Sequence, residues 1–174
     1  MTKTIFDGKT RHSIEHLAPF SFTYARPAKG NDPGWEKEIA VTFSWHCYTR
    51  TPEAGEQVYI LRDGSEQRCF CPARHLLSQN LPAIIRQLDQ KAIFQTGKGN
   101  FVTVQVIEPA GHTVDYGVFF TVTRGRRGEP LKLRVSSAYP FFEQEKRYQV
   151  SRQRIRFNII VYNTMQGKPI KFRR

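Results

Sequence analysis

Apolar and polar residues alternate along several short runs of this chain and repeat with helical spacing in one place. Phe20, Phe22 and Tyr24 alternate after Pro19, which predicts a short strand over 19–24. Pro27, Gly30, Asn31, Asp32, Pro33 and Gly34 then mark a loop. A second strand is predicted from Glu38 to Arg50. Val41, Phe43, Trp45 and Cys47 fall on one face, and Thr42, Ser44, His46, Tyr48 and Arg50 on the other. Residues 51–55 read as a turn, 58–61 as a short strand, and Arg68 to Cys71 as a further extended piece. The one helical period lies between Pro72 and Gln90. Leu76, Leu77, Ile84, Ile85 and Leu88 form a stripe there, with Leu81 beside it. Pro82 either kinks this helix or starts a second one with Asn80 near its N-cap. Strands are predicted over 101–107, 115–123 and 131–138, joined by the turn-like 108–111 and 124–128. A last strand is predicted over 152–162. Ile155, Phe157, Ile159 and Val161 face one way, and Arg152, Arg154 and Arg156 the other. The expected fold class is α+β: an antiparallel sheet of about six to eight strands with one main helical segment packed on one face. Residues 1–18 are polar and unpatterned and read as an N-terminal extension, with 19–174 as a single domain.

The chain has 174 residues, a length that suits one domain with a core of its own. No apolar run is long enough for a membrane helix, and the first residues lack the apolar stretch of a secretory signal. Three cysteines make no disulfide framework, so the expected compartment is the cytoplasm, with reduced thiols.

Charge changes the picture most. The net charge is +12. Residues 124–174 hold 14 basic and 3 acidic side chains, whereas residues 1–123 are nearly balanced at 13 and 12. A basic C-terminal third attracts polyanions. Nucleic acid is the expected partner, RNA in particular, because Lys and Arg release counterions when they neutralise phosphates. The other readings are a basic face that binds an acidic protein, such as an inhibitor, and charge that serves solubility alone. The nucleic-acid contacts expected from sequence are Arg124, Arg126, Arg127, Lys132, Arg147, Arg152, Arg154 and Arg156. Arg74 and His75, near the start of the predicted helix, are a further phosphate candidate.

Two segments carry a family resemblance. Tyr116-Gly117-Val118-Phe119-Phe120-Thr121-Val122 is similar to a strand of the RelE-like proteins. Leu131 to Pro140, ending Ser-Ser-Ala-Tyr-Pro, resembles a late strand of phage-associated members of the wider RelE, barnase, EndoU and colicin-type group of small ribonucleases. The resemblance covers about half of the chain. It implies a helix followed by a four-stranded antiparallel sheet, and metal-independent cleavage of RNA.

Such cleavage needs a proton acceptor, a proton donor and cations around the phosphate. The catalytic candidates are His46 as general base or acid, Arg50 and Arg134 as phosphate stabilisers, and Ser136 or Tyr139 as orienting groups. No cofactor is expected. Cys47, Cys69, Cys71 and His75 do not have the spacing of a structural zinc site and read as buried thiols beside a helix-surface histidine, so no metal site is expected either. Non-catalytic binding to RNA or to the ribosome is the alternative function.

Overall fold

The structure, a computed structural model, describes residues 3–31, 33–56, 58, 60–63, 66–96, 100–107, 113–141 and 154–170. The chain opens with a hairpin of β1 (Thr4–Phe6) and β2 (Arg11–Ser13), followed by a 3-10 turn at Glu15–Leu17. β3 (Phe20–Arg26) and β4 (Trp35–Phe43) come next. After a 3-10 turn at Trp45–Cys47 the chain forms β5 (Thr49–Arg50), β6 (Ile60–Asp63) and β7 (Glu66–Phe70), a small sheet in the order β5-β7-β6. The helical segment consists of α1 (Pro72–Ser78) and α2 (Leu81–Arg86). β8 (Ile93–Gln95), β9 (Phe101–Ile107), β10 (Val114–Thr123), β11 (Leu131–Pro140) and β12 (Arg154–Ile155) lead to the last helix, α3 (Phe157–Gln166).

The main sheet has seven strands in the order β12-β8-β9-β10-β11-β4-β3. Its pairs are antiparallel except β11 with β4, which run parallel with Leu131 opposite Ile39 and Val135 opposite Phe43. The sheet curls until its edges meet: the Tyr24 ring of β3 touches the Phe157 ring beside β12, edge-on at 5.0 Å. Apolar residues of one sheet face, including Ile39, Val41, Val118, Phe120, Leu131, Leu133 and Val135, pack with Leu81, Ile84, Ile85 and Leu88 and with Phe157, Ile160 and Val161. Burial of this shared surface is the main stabilising term. A smaller cluster of Val102, Phe119 and Phe141, with Tyr139 and Phe94 against it, forms separately. The α+β class and the helical segment packed on one face are as the sequence predicts, with one parallel pair added.

Three local expectations are corrected, and one left open between two outcomes is resolved. The strand over 38–50 stops at Phe43, where Ser44 turns the chain and its hydroxyl accepts a hydrogen bond from the His46 N–H. The long helix breaks after α1, and the second of the two Pro82 outcomes holds: Asn80 is the N-cap residue of α2. Leu76 lies on the outside, 56% exposed, because the two short helices do not share one continuous stripe. Within the run expected as a strand over 152–162, residues 152 and 153 lie outside the described residues, Arg154 and Ile155 form β12, and the residues from Phe157 on form α3. Its apolar residues satisfy both periods. Phe157, Ile160 and Val161 have helical spacing and are the ones buried, which leaves Ile159 exposed. Gly167 closes the helix at φ 65, with Pro169 soon after, a C-terminal stop signal. Among the described residues no helix is long and apolar enough to cross a membrane.

Candidate functional site

The 3-10 turn after β4 lies against β11, with the Ser44 N–H donating to the Val135 carbonyl at 2.9 Å. It carries His46 towards the small sheet. His46 Nε2 lies 3.3 Å from Glu66 Oε2 on β7. The other oxygen of Glu66 accepts from Arg68 Nη1 at 2.8 Å. Arg68 is 4% exposed. It also donates to the Thr49 hydroxyl and carbonyl and to the Thr51 hydroxyl. A buried guanidinium therefore fixes the carboxylate, and the carboxylate fixes the imidazole.

Arg74 approaches from α1. Its Nη1 donates to the carbonyls of His46 and Thr49 at 3.2 and 2.9 Å, and its guanidinium lies 5.0 Å from the centre of the Tyr139 ring. Tyr139 stacks on Phe119 and meets Phe141 edge-on. Burial holds His46 below the ordinary histidine value. Arg68, Arg74 and Arg134 push it the same way, and Glu66 opposes them. The imidazole is therefore kept neutral among three cations. Behind this cluster, burial pushes the Cys47 thiol up to about 12 and the Tyr116 hydroxyl upward as well. The Tyr116 hydroxyl is buried with no hydrogen-bond partner among the described residues.

Of the catalytic candidates, His46, Arg134 and Tyr139 thus fall in one neighbourhood, and Arg74 joins them. Arg50 is held by Glu56, with one nitrogen on each carboxylate oxygen, and lies 3.9 Å from Glu53. Ser136 sits at a β-bulge. Phe119 pairs with Ser137 and Phe120 with Val135, so Ser136 has no strand partner, and its hydroxyl donates to the Phe119 carbonyl. The bulge also reverses the strand's phase. Residues 131, 133 and 135 are buried before it and Ala138 after it, so Tyr139, and not Ser136, continues the face of Arg134.

His75 points away from this cluster. Its Nε2 lies 2.8 Å from the Ser13 carbonyl, and its ring contacts those of His12, His16 and Phe70. Lys132 pairs with Glu129. Arg124, Arg126 and Arg127 line a cavity of about 440 Å³ with Lys37 and Met165. Arg154 and Arg156 line another of about 350 Å³ with Arg26, Lys91 and Asn158. Both cavities lie at the start of β4, and His46 lies beyond its end, so the nine residues of the strand separate the two groups by about 26 Å. Arg147 and Arg152 fall outside the described residues. Arg154 on β12 and Arg156, still extended at the start of α3, line the same cavity.

Sequence reasoning missed Glu66 and Arg68. Their spacing of two residues on an extended piece was the available signal, since it places both on one face. All three cysteines are free, and no group of His, Cys, Asp or Glu among the described residues has the geometry of a metal site.

The model of the YjaZ family matches residues 3–165. The chain belongs to the YjaZ family. Protein YjaZ of Escherichia coli (strain K12) is 28% identical over 169 residues, covering 94% of this chain and 89% of that protein. No solved structure matches the chain. The resemblance to the RelE, barnase, EndoU and colicin-type ribonucleases is therefore overturned. The YjaZ match spans nearly the whole chain, whereas the ribonuclease resemblance rested on two short strand segments. Those segments are β10 and β11, the centre of a seven-stranded sheet with a parallel neighbour.

Proposed function

We propose that this YjaZ-family protein binds RNA and cleaves its backbone without a metal ion. The observation that carries the reading is the His46–Glu66 pair, braced by Arg68, with Arg74 donating to the His46 carbonyl and the charge of Arg134 felt at the imidazole. With Nε2–H donating to Glu66, Nδ1 of His46 holds the lone pair that accepts a proton. The 2′-hydroxyl gives that proton to Nδ1, and its oxygen bonds to phosphorus. The bond to the 5′ oxygen breaks, and the departing oxygen takes a proton from solvent. The products are a 2′,3′-cyclic phosphate and a 5′-hydroxyl. Arg134 and Arg74 offset the charge that builds on the phosphorane.

The test is a mixed RNA pool incubated with the protein in EDTA at two salt concentrations, with binding and cleavage read from the same samples. Cyclic-ended products are expected. His46→Ala should cut the rate by about 10²–10⁴-fold while RNA binding persists. Because His46 is held below its ordinary value of 6.5, it stays neutral, and able to accept a proton, to a pH below 6.5. The acid limb of the pH–rate profile should accordingly fall below that value.

The second reading is RNA or ribosome binding without cleavage. It is favoured by the two arginine-lined cavities, which lie remote from His46. Salt-sensitive binding with no products would select it. No affinity for RNA at physiological salt would point to an acidic protein partner. Both RNA readings place the protein in the cytoplasm, in keeping with its three free thiols.

A further inference from the structure

α3 connects the two arginine groups that lie away from His46. Asn158, Tyr162 and Met165 stand four and three residues apart and share one stripe of the helix. Asn158 lines the cavity at the start of α3, where Arg26, Lys91, Arg154 and Arg156 surround a single acid, Asp89. Met165 lines the cavity at the far end, with Lys37, Arg124, Arg126 and Arg127. The acid there, Glu129, is engaged by the Arg126 N–H and by Lys132. The two ends lie about 10 Å apart along the helix axis. Between them stands Tyr162, 39% exposed, its ring 6.1 Å from that of Trp35. Trp35 in turn packs on Tyr24, which lines the first cavity. Asn158 Oδ1 is buried with no hydrogen-bond donor among the described residues.

We infer that this stripe of α3 is the seat of a single-stranded polynucleotide, with phosphates in the two basic cavities and an unstacked base on Tyr162. The inference rests on the nucleic-acid reading above but not on cleavage at His46. A basic groove interrupted by an exposed aromatic ring is the physical requirement for holding a single strand without base pairing. Duplex is excluded from the central contact, since its bases offer no free face to Tyr162.

The test is fluorescence anisotropy of a short labelled oligouridylate with the full chain in a His46→Ala background, so that the probe stays intact. Tyr162→Ala should weaken binding about tenfold, and Tyr162→Phe, which keeps the ring, should restore it. Arg126→Ala and Arg154→Ala should each reduce the slope of log affinity against log salt by about 0.7. Circular dichroism and urea midpoints of the variants establish that they are folded. RNA binding that survives all these substitutions overturns the α3 seat and leaves the nucleic-acid reading standing. No binding of the oligomer even at low salt overturns both. Binding at α3 by a wild-type protein that makes no cleavage products overturns the catalytic role of His46 alone.

Discussion

Arg68 decides the geometry of the candidate site from within. Its guanidinium donates to Glu66, to both oxygens of Thr49 and to the Thr51 hydroxyl, and Thr49 is itself fully buried. Arg68→Met keeps the length of the side chain and removes every one of these donors. The Thr49 carbonyl keeps only Arg74, and Glu66 and the Thr51 hydroxyl lose their guanidinium donor, so a loss of about 1–3 kcal/mol of stability is expected from urea denaturation. The same substitution removes a cation that holds His46 down and loosens the carboxylate that opposes it. The loss of the cation raises the His46 value, so an NMR titration of its imidazole should shift towards higher pH. Arg134 was legible in the sequence because it alternates with the core formers of β11, whereas His46 was picked out on an alternation that ends at Phe43, and a 3-10 turn carries it instead. Arg50 was legible as a cation but not as an ion pair. Its partner Glu56 lies across a turn whose path the sequence does not dictate.

At the scale of elements, β10 and β11 could be read because their alternation is long and has a single solution, except at the bulge that reverses the phase at Ser136. α3 could not be read as a helix from alternation alone, since Phe157, Ile159 and Val161 fit a strand as well as Phe157, Ile160 and Val161 fit a helix. The residue that breaks the tie is Gly167, whose left-handed φ of 65 favours glycine. An added Cβ there would also lie 2.9 Å from Arg124 Nη1. Gly167→Ala should therefore cost about 1 kcal/mol or somewhat more, read as a lower midpoint of thermal or urea unfolding. The N-terminal hairpin is fastened by histidines: His75 to the Ser13 carbonyl, His16 to the Ser78 hydroxyl and His12 to Asp7, with the three rings in contact. Burial lowers His16, and the neighbouring His75 lowers it further. A lowered value means that the fold prefers the neutral ring. Its contribution is present above 6.5 and is lost as pH falls through the folded value. Protection of the amides of residues 3–17, taken relative to their intrinsic exchange rates, should accordingly fall below pH 6.5, with that of the core of β10 and β11 unaffected.

For the molecule as a whole, the parallel pairing of β11 with β4 joins segments that begin at Leu131 and Trp35, with α1, α2 and three strands of the main sheet between them in sequence. Long-range pairing of this kind closes large loops before it is rewarded, so refolding in the millisecond-to-second range is expected in stopped-flow fluorescence. The charge is also organised at this scale. The His46 group and the arginines around α3 lie at opposite ends of β4, so one strand of RNA about 26 Å long could engage both. That separation was invisible in the sequence, because it follows from where the sheet curls.

The closing contact of the sheet has a consequence for biosynthesis. α3 follows every strand of the main sheet in the chain, yet Phe157, Ile160 and Val161 complete the apolar cover of that sheet. While the chain is being made, all seven strands leave the ribosome before the helix that seals them. The nascent protein passes through an interval in which Leu131, Leu133 and Phe120 lack part of their cover and the edges at β3 and β12 are not yet joined. A ribosome stalled within that interval should hold a chain that chaperones bind, and release of the remaining residues should end the binding.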